Sequence, residues 1–538
     1  MNKAFCLVAV FIGIFLVRSN GQGQLPHLAK VGNRTQLIVQ DQPFLVLGGE
    51  LGNSTATTME NMEPVWPRLK AMNLNTVLVP VYWELIEAEE GRFDFSLYEA
   101  LIKEARKNNL KIIFLWFGAW KNSMSSHAPA WIKRNQQKYP RVKDEKGKSL
   151  EILSSFSKDV LDADIKAFEK LMTFIKTVDQ QHQTVIMIQP ENEIGMLSSA
   201  RDYHPLAEEA FKKNVPAEVI SYLQKKKDQL VPELQNAWKQ AGSKTKGNWQ
   251  ELFGKGLYTD ELFMAYYYSV FMNKLIAAGK KVYPLPMFVN AALNRPSKLP
   301  GEYPSAGPLP HLMDVWKAGG TAIDFLSPDF YNPDFKHWND LYTRQGDPLF
   351  IPEHAFDATV AAKALFIFAN YEGIGFSPFS IESNHSESLG KMYALIRSLT
   401  PLITSNQGKN KIKGLLLTKA SKDTSFTMGN YTFSCKHDYT LSWTAGSRTE
   451  DWPYASAMII QTGEDEFFVA GTGVVVTFSN SKNKNQNVGL LKVDEGVFEN
   501  NRWKVIRHLN GDQTHQGRHV NIPTNQIAVQ KVTLYNYD

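Results

Sequence analysis

From about residue 44 to about 400, short apolar runs alternate with segments whose apolar residues recur every three or four positions. The runs that read as strands are FLVLGGE (44–50), NTVLVPVYWE (75–84), KIIFLWFG (111–118) and TVIMIQPENE (184–193). They continue with KVYPLPMFVNA (281–291), IDFLSPDFY (323–331), PLFIPE (348–353) and GIGFSPFS (373–380). Between them, FSLYEALIKEARKNN (95–109) and VLDADIKAFEKLMTFIKTV (160–178) have helical periodicity. Eight nearly continuous apolar strands, each followed by a helix or an excursion, predict an α/β fold: a parallel (β/α)8 TIM barrel, buried on both faces. The competing doubly wound sheet would carry a Gly-rich phosphate turn after an early strand, and none is present. One long excursion, about 196–257, separates the fourth and fifth strands. In such a barrel it would lie at the C-terminal face and wall the site.

After about residue 402 the pattern changes to period two. YTLSWTA (439–445), SAMIIQT (456–462) and EFFVAGTGVVVTFSN (466–480) are separated by Gly, Asn, Asp and Ser turns, with KVDEGVFENNRWKVIRHLNGD (492–512) following. Residues 403–538 therefore read as an antiparallel β-sandwich after a catalytic barrel at 23–402.

Composition adds limits. The chain has 538 residues and a net charge of +5, with no dense basic block beside aromatics, which argues against a nucleic-acid partner. At the N-terminus, a single Lys, the apolar run AFCLVAVFIGIFLV (4–17) and a small polar stretch have the layout of a secretory signal ending near residue 22. The mature protein is then expected to be exported, periplasmic or secreted, and free of the membrane. Of two cysteines, Cys6 lies in that signal, so Cys435 remains alone and no internal disulfide can form. Nothing in the pattern bears on oligomeric state.

Polar residues at barrel strand ends are candidates for chemistry. Here they are Glu50, Tyr82-Trp83-Glu84, Trp116-Phe117, Glu191-Asn192-Glu193, Asn290, Asp329-Tyr331, Glu353 and Ser377. Glu193 and Glu353 end the fourth and seventh strands, which can face each other across a closed barrel. Two carboxyl groups about 5–5.5 Å apart are what retaining cleavage of a glycosidic bond needs, one as acid and base and one as nucleophile. Asn192 is then a candidate for the sugar's 2-hydroxyl, while Glu191 should point to the other side and serve structure. Tyr82, Glu84, Trp116, Trp120, Asn122 and Tyr331 are candidates for binding sugar faces and hydroxyls. His354, beside Glu353 on the strand, should face away. No paired His/Cys spacing indicates a metal, and no G-x-S-x-G elbow indicates a serine hydrolase, so no cofactor is expected.

LGGELGNS (47–54), VPVYWELIEAEEGRFDFS (79–96), WFGAWKNS (116–123), QPENEIG (189–195) and LFIPEHAF (349–356) together resemble glycoside hydrolase family 35. The resemblance runs from about residue 35 to 400 and implies a retaining β-galactosidase. By position, Glu193 matches the acid/base, Asn192 its partner and Glu353 the nucleophile. Two departures stand out: Ile194 replaces an aromatic that often follows the acid/base, and WFGAWKNS looks like a bacterial branch with a β-sandwich after the barrel. The expected substrate is a terminal β-galactoside of oligosaccharides or plant cell-wall side chains. The alternatives are a relative acting on a glucoside, mannoside or arabinoside, and a non-catalytic carbohydrate-binding protein.

Overall fold

The computed structural model describes residues 23–509 and 511–538, so the signal-like segment lies outside the described residues. Eight parallel strands form its centre: β1 (Val46–Leu47), β2 (Thr76–Tyr82), β3 (Lys111–Lys121) and β4 (Val185–Asn192). The series continues with β5 (Phe288–Ala292), β6 (Phe325–Phe330), β7 (Phe350–His354) and β8 (Gly375–Pro378). Hydrogen bonding joins β2-β3-β4 in one sheet and β5-β6-β7-β8-β1 in another. Isolated parallel bridges, Glu50 to Leu78 and Ile188 to Met287, link the two. Each strand thus has two parallel neighbours, and the order runs from β1 through β8 back to β1. Every residue of β2, β4, β6 and β7 is buried, which is why those runs lack polar alternation.

The helices α1 (Ser96–Lys107) and α2 (Lys158–Asp179) fall where periodicity predicts them. The fifth strand does not begin where expected. Residues 281–287 lie at and beyond the end of a 26-residue helix, α3 (Leu257–Val282), and β5 starts at Phe288. Helix α3 buries six consecutive residues, Glu261 to Tyr266, which blurs the polar stripe over its first half. The excursion after β4 folds into four short helices, Pro205–Lys212, Ala217–Lys226, Pro232–Gln240 and Trp249–Phe253. Among the described residues no helix is long and apolar enough to cross a membrane.

Beyond α5 (Glu387–Asn406) come two antiparallel sheets, one of six strands and one of four. Their facing sides share a core that includes Phe433, Ile459, Phe467, Val476 and Val532. Cys435 is buried there as a free thiol, its pKa pushed up to about 12 by burial. Two local readings change. The stretch 439–445 is turn and 3-10 helix rather than strand, beginning with Asp438–Thr440. The run 466–480 is two strands, Glu466–Thr472 and Val474–Asn480, broken at Gly473, whose φ of +70° suits glycine. The chain also remains helical through 402, to Asn406.

The outer side of the six-stranded sheet is apolar too. Ile412, Met458, Ile460 and Phe468 belong to the same core as the strand ring. Helix α4 (Val360–Asn370) lies between them, buried from Val360 to Ala369. Gly414 lets strand Ile412–Leu417 approach this helix: a Cβ there would lie 2.4 Å from the Asn370 backbone nitrogen. Replacing Gly414 with Val should cost ~1–3 kcal/mol by overpacking, seen as a lower urea midpoint with the m-value unchanged.

Candidate active site

The C-terminal ends of the strand ring gather four buried carboxylates, Glu50, Glu193, Asp329 and Glu353, with the buried ammonium of Lys121. Asp329 on β6 pairs directly with Glu353 on β7, and Lys121 on β3 with Asn192 on β4. One carboxylate oxygen each from Glu193, Asp329 and Glu353 lies within 4.8 Å of the others. A cavity of about 740 Å³ opens over them, lined by Lys121, Asn122, Glu193, Asp329, Tyr331 and Glu353 among others.

The backbone that presents Glu193 is held in an uncommon shape. Glu191 and Glu193 have φ of 61° and 45°, and on the facing β3 end Asn122 and Ser123 have 51° and 63°. Left-handed residues without glycine cost free energy and persist only where neighbours enforce them. Here the Asn122 and Ser123 amides donate to the carbonyls of Asn192 and Glu193, each at 3.1 Å. The Glu193 amide donates to Asn290 Oδ1 at 3.0 Å, and the Asn290 amide donates to Asp329 Oδ2 at 2.5 Å. Three adjacent strands are tied together beneath the cavity.

The two principal glutamates have different surroundings. Burial, then the charge of Glu353, raises the Glu193 pKa to about 7, against the opposing pull of Lys121. Glu353 accepts a hydrogen bond from the Tyr331 hydroxyl, which stabilises negative charge on that oxygen. Burial and the charge of Glu353 hold Tyr331 itself well above the usual phenol range, so it stays a donor. Burial and neighbouring carboxylates push Asp329 and Glu50 well above the usual carboxylate range.

Asn192 is buried next to Lys121 and Glu193, which line the cavity, and does not itself line it. Its Oδ1 accepts from Lys121 Nζ at 2.6 Å, and its Nδ2 has no partner. Asn122 and Tyr331 line the cavity. The other four binding candidates are placed elsewhere. Trp116 and Trp120 are fully buried, donating to Asp164 Oδ1 at 2.9 Å and to the Leu153 carbonyl at 3.1 Å. Tyr82 is buried against Phe117 and His127. Glu84 meets the His127 ring at 2.9 Å. None of the four lines the cavity. Strand β3 runs on past Trp116 and Trp120 to Lys121, Tyr82 ends β2, Glu84 sits in the helix Trp83–Ile86, and an aromatic at a strand end packs as readily as it binds.

Glu191 faces away from the cavity. It accepts the amides of Ala119 and Trp120 at 3.0 and 2.6 Å, and its pKa is raised well above normal by burial and by Asp164. Gly118 makes room for this pair: a Cβ there would meet Glu191 Oε1 at 2.7 Å and Trp116 Nε1 at 2.2 Å. His354 also faces away, packed on Phe330 and Phe376, and burial lowers its pKa to about 3. Sequence reasoning missed Lys121 as the central cation. It also named Asp329, Glu50 and Asn290 as strand ends without giving them roles. Lys121 lay three residues past the expected end of β3, and only the register with Asn192 shows where it points.

A model described as Glycosyl hydrolases family 35 matches residues 36–255, which span β1 to β4 and include Glu193. That match covers 220 of the 538 residues, about two fifths of the chain. A second model, a domain of unknown function (DUF5597), matches residues 389–521. Beta-galactosidase-1-like protein 3 of Mus musculus is 28% identical over 194 residues, 35% of this chain and 27% of that protein. The Homo sapiens protein of the same name is 27% identical over 197 residues, covering 36% and 26%. The chain thus matches about a quarter of the length of these relatives. A catalytic mutant of Gan42B, a GH42 beta-galactosidase from G. stearothermophilus, has a similar fold, with a TM-score of 0.51 at 11% identity over 92% of this chain and 99% of that one.

The raised pKa of Glu193 has a consequence for stability. Its folded pKa of about 7 exceeds the ordinary 4.5, so the folded state binds more protons than the unfolded state between these values. Its contribution is fully present below pH 4.5 and is lost as pH rises through about 7. Urea unfolding should show stability falling by ~2–4 kcal/mol between pH 4.5 and 8 from this group. Glu193→Gln should make that fall shallower.

Proposed function

We propose that this chain is an exported retaining exo-β-galactosidase that removes terminal β-linked galactose from oligosaccharides or plant cell-wall side chains without metal or cofactor. The observation that carries this reading is the pairing of Glu193 with Glu353, whose oxygens lie within 4.8 Å across an open cavity. So short an approach fits a retaining pair, whose carboxyl groups stand about 5–5.5 Å apart, better than an inverting pair at about 6.5–9.5 Å. The family 35 match and the names of the relatives support galactose as the sugar. The apolar run at 4–17 supports export.

In the first step the Glu353 carboxylate attacks the anomeric carbon while Glu193 gives its proton to the leaving oxygen. The glycosidic bond breaks and a galactosyl-enzyme ester forms. In the second step Glu193, now ionised, takes a proton from water, which attacks the anomeric carbon and frees Glu353. Tyr331 holds the Glu353 oxygen that does not attack. Lys121 orients Asn192, whose free amide N–H is directed to the 2-hydroxyl, a contact that strengthens as positive charge develops on the ring.

On a panel of 4-nitrophenyl glycosides, the β-galactoside should be turned over best, and negligible galactoside hydrolysis beside rapid glucoside, mannoside or arabinoside hydrolysis would reject this sugar. Glu353→Gln should lose at least ~10³-fold in kcat on every substrate. Glu193→Gln should lose much more on an oligosaccharide than on the nitrophenyl galactoside, whose leaving group needs little acid assistance. Because Glu193 must be protonated in the free enzyme, kcat/KM should fall as pH rises through about 7.

Lys121→Met removes a charge-assisted hydrogen bond worth ~1.5–3 kcal/mol, predicting a ~10- to 100-fold loss in kcat. The alkaline limb should also move to higher pH, because the Lys121 charge lowers the Glu193 pKa. Glu193, Asp329 and Glu353 have spacing that could also hold an oxygen-ligated cation. Activity unchanged after dialysis against EDTA is the result expected of the two-glutamate mechanism.

A further inference from the structure

A second cavity of about 630 Å³ adjoins the one over the strand ends. Asn294 and Tyr303, on the segment that follows β5, line both. Its opposite wall comes from the excursion between β4 and β5, through Asn236 and Gln240 of helix Pro232–Gln240, and from Tyr258 at the start of α3. Trp338 completes it, from helix Phe335–Thr343, just after Tyr331, Asn332 and Pro333 of the first cavity. The two cavities are therefore built by the same pair of strand-end segments, with the excursion forming one wall of the outer, more open one.

The lining has the chemistry of a saccharide site. Trp338 and Tyr258 offer aromatic faces for sugar C–H surfaces, and Asn236 and Gln240 offer amides for hydroxyls. Asn294 Oδ1 and the Tyr258 hydroxyl are buried and lack a partner. The wall is stiff, because the buried Glu261 accepts from Tyr303 at 2.8 Å and from the Ala306 amide at 3.1 Å, and meets His311 at 2.9 Å. The residues lining this cavity include Glu233 and Glu261 but no Lys or Arg; His311 is paired with Glu261 and the neighbouring Arg344 with Glu233, so an acidic sugar would find both already engaged by carboxylates.

We infer that this second cavity binds the saccharide residues on the leaving-group side of the scissile bond, so that the preferred substrate is a neutral oligosaccharide longer than a disaccharide. The inference rests on the exo-galactosidase reading, which puts the terminal sugar over Glu193 and Glu353 and sends the remaining chain outward.

The test uses the full chain with 4-nitrophenyl β-galactoside and with β-1,4- and β-1,6-linked galacto-oligosaccharides of two to four units. The wild type should gain at least tenfold in kcat/KM from disaccharide to tetrasaccharide in one linkage series. Trp338→Ala should abolish that gain and leave the nitrophenyl galactoside within twofold, while Trp338→Phe should keep most of the gain. No gain with length, or equal losses on short and long substrates, would overturn the inference. If no galactoside is cleaved at all, the proposed reaction fails, and calorimetry decides the cavity's role separately. Glu353→Gln should then bind the tetrasaccharide at least tenfold more tightly than Glu353→Gln/Trp338→Ala, and equal binding would overturn the inference.

Discussion

Four carboxylates and one ammonium buried at one end of a parallel strand ring are the constraint on which the site depends. Charges of one sign so close together in a poorly solvated place cannot all exist at once. One ammonium, Lys121, offsets only part of the repulsion, so protons must remain on some of the four at neutral pH. The raised pKa values of Glu50, Glu193 and Asp329 express this. An acid that stays protonated near pH 7 beside a carboxylate that accepts a phenol hydrogen bond is the division of labour that glycoside cleavage needs. It follows from where eight strands end rather than from any unusual residue.

Crowding of this kind is tolerated only on a rigid support. The left-handed backbone at Glu191 and Glu193 is matched by left-handed residues at Asn122 and Ser123, and the two segments hold each other by amide–carbonyl bonds. Behind them Glu191, Asp164 and the Trp116 indole form a buried polar unit in space left by Gly118. Glu191 thus braces the strand whose end carries Glu193 to the cavity. Strain in the backbone and a polar pair in the core are both costs, and both lie within a few residues of Glu193.

Much of this organisation was legible in the chain. Strands buried on both faces leave continuous apolar runs, so β2, β3, β4, β6 and β7 could be placed closely from composition alone. Glu193 and Glu353 stood out as a pair, at the fourth and seventh strand ends with Asn192 before the first, because an isolated strand-end glutamate more often pairs with a Lys or Arg at the rim. Legibility failed where the signal depended on partners. Helix α3, wrapped by neighbours on several sides, lost its periodicity and hid the true start of β5. Trp116 and Trp120 looked like sugar platforms, yet β3 runs on to Lys121 and puts both rings in the core. Tyr82 is buried as well, while Glu84 lies half-exposed on a short helix beside His127, since an aromatic or a carboxylate near a strand end carries no mark of whether it faces a cavity or a neighbour. Lys121 was invisible for the converse reason: its importance lies wholly in the residues that register brings beside it.

The strands after residue 406 enter the same account through α4. That helix follows β7, which carries Glu353, and its length from Val360 to Ala369 is buried because the ring covers one side and the six-stranded sheet the other. A helix with apolar residues on all sides would be a liability on an isolated barrel, exposing a patch to water. Lys363, its one charged residue, lies over the Phe335 ring and pairs with Asp357, which leaves the rest of the helix free to pack. The sheet is therefore a structural completion of the segment behind Glu353. Its removal would be felt first in the packing beneath that residue and only through it in the chemistry.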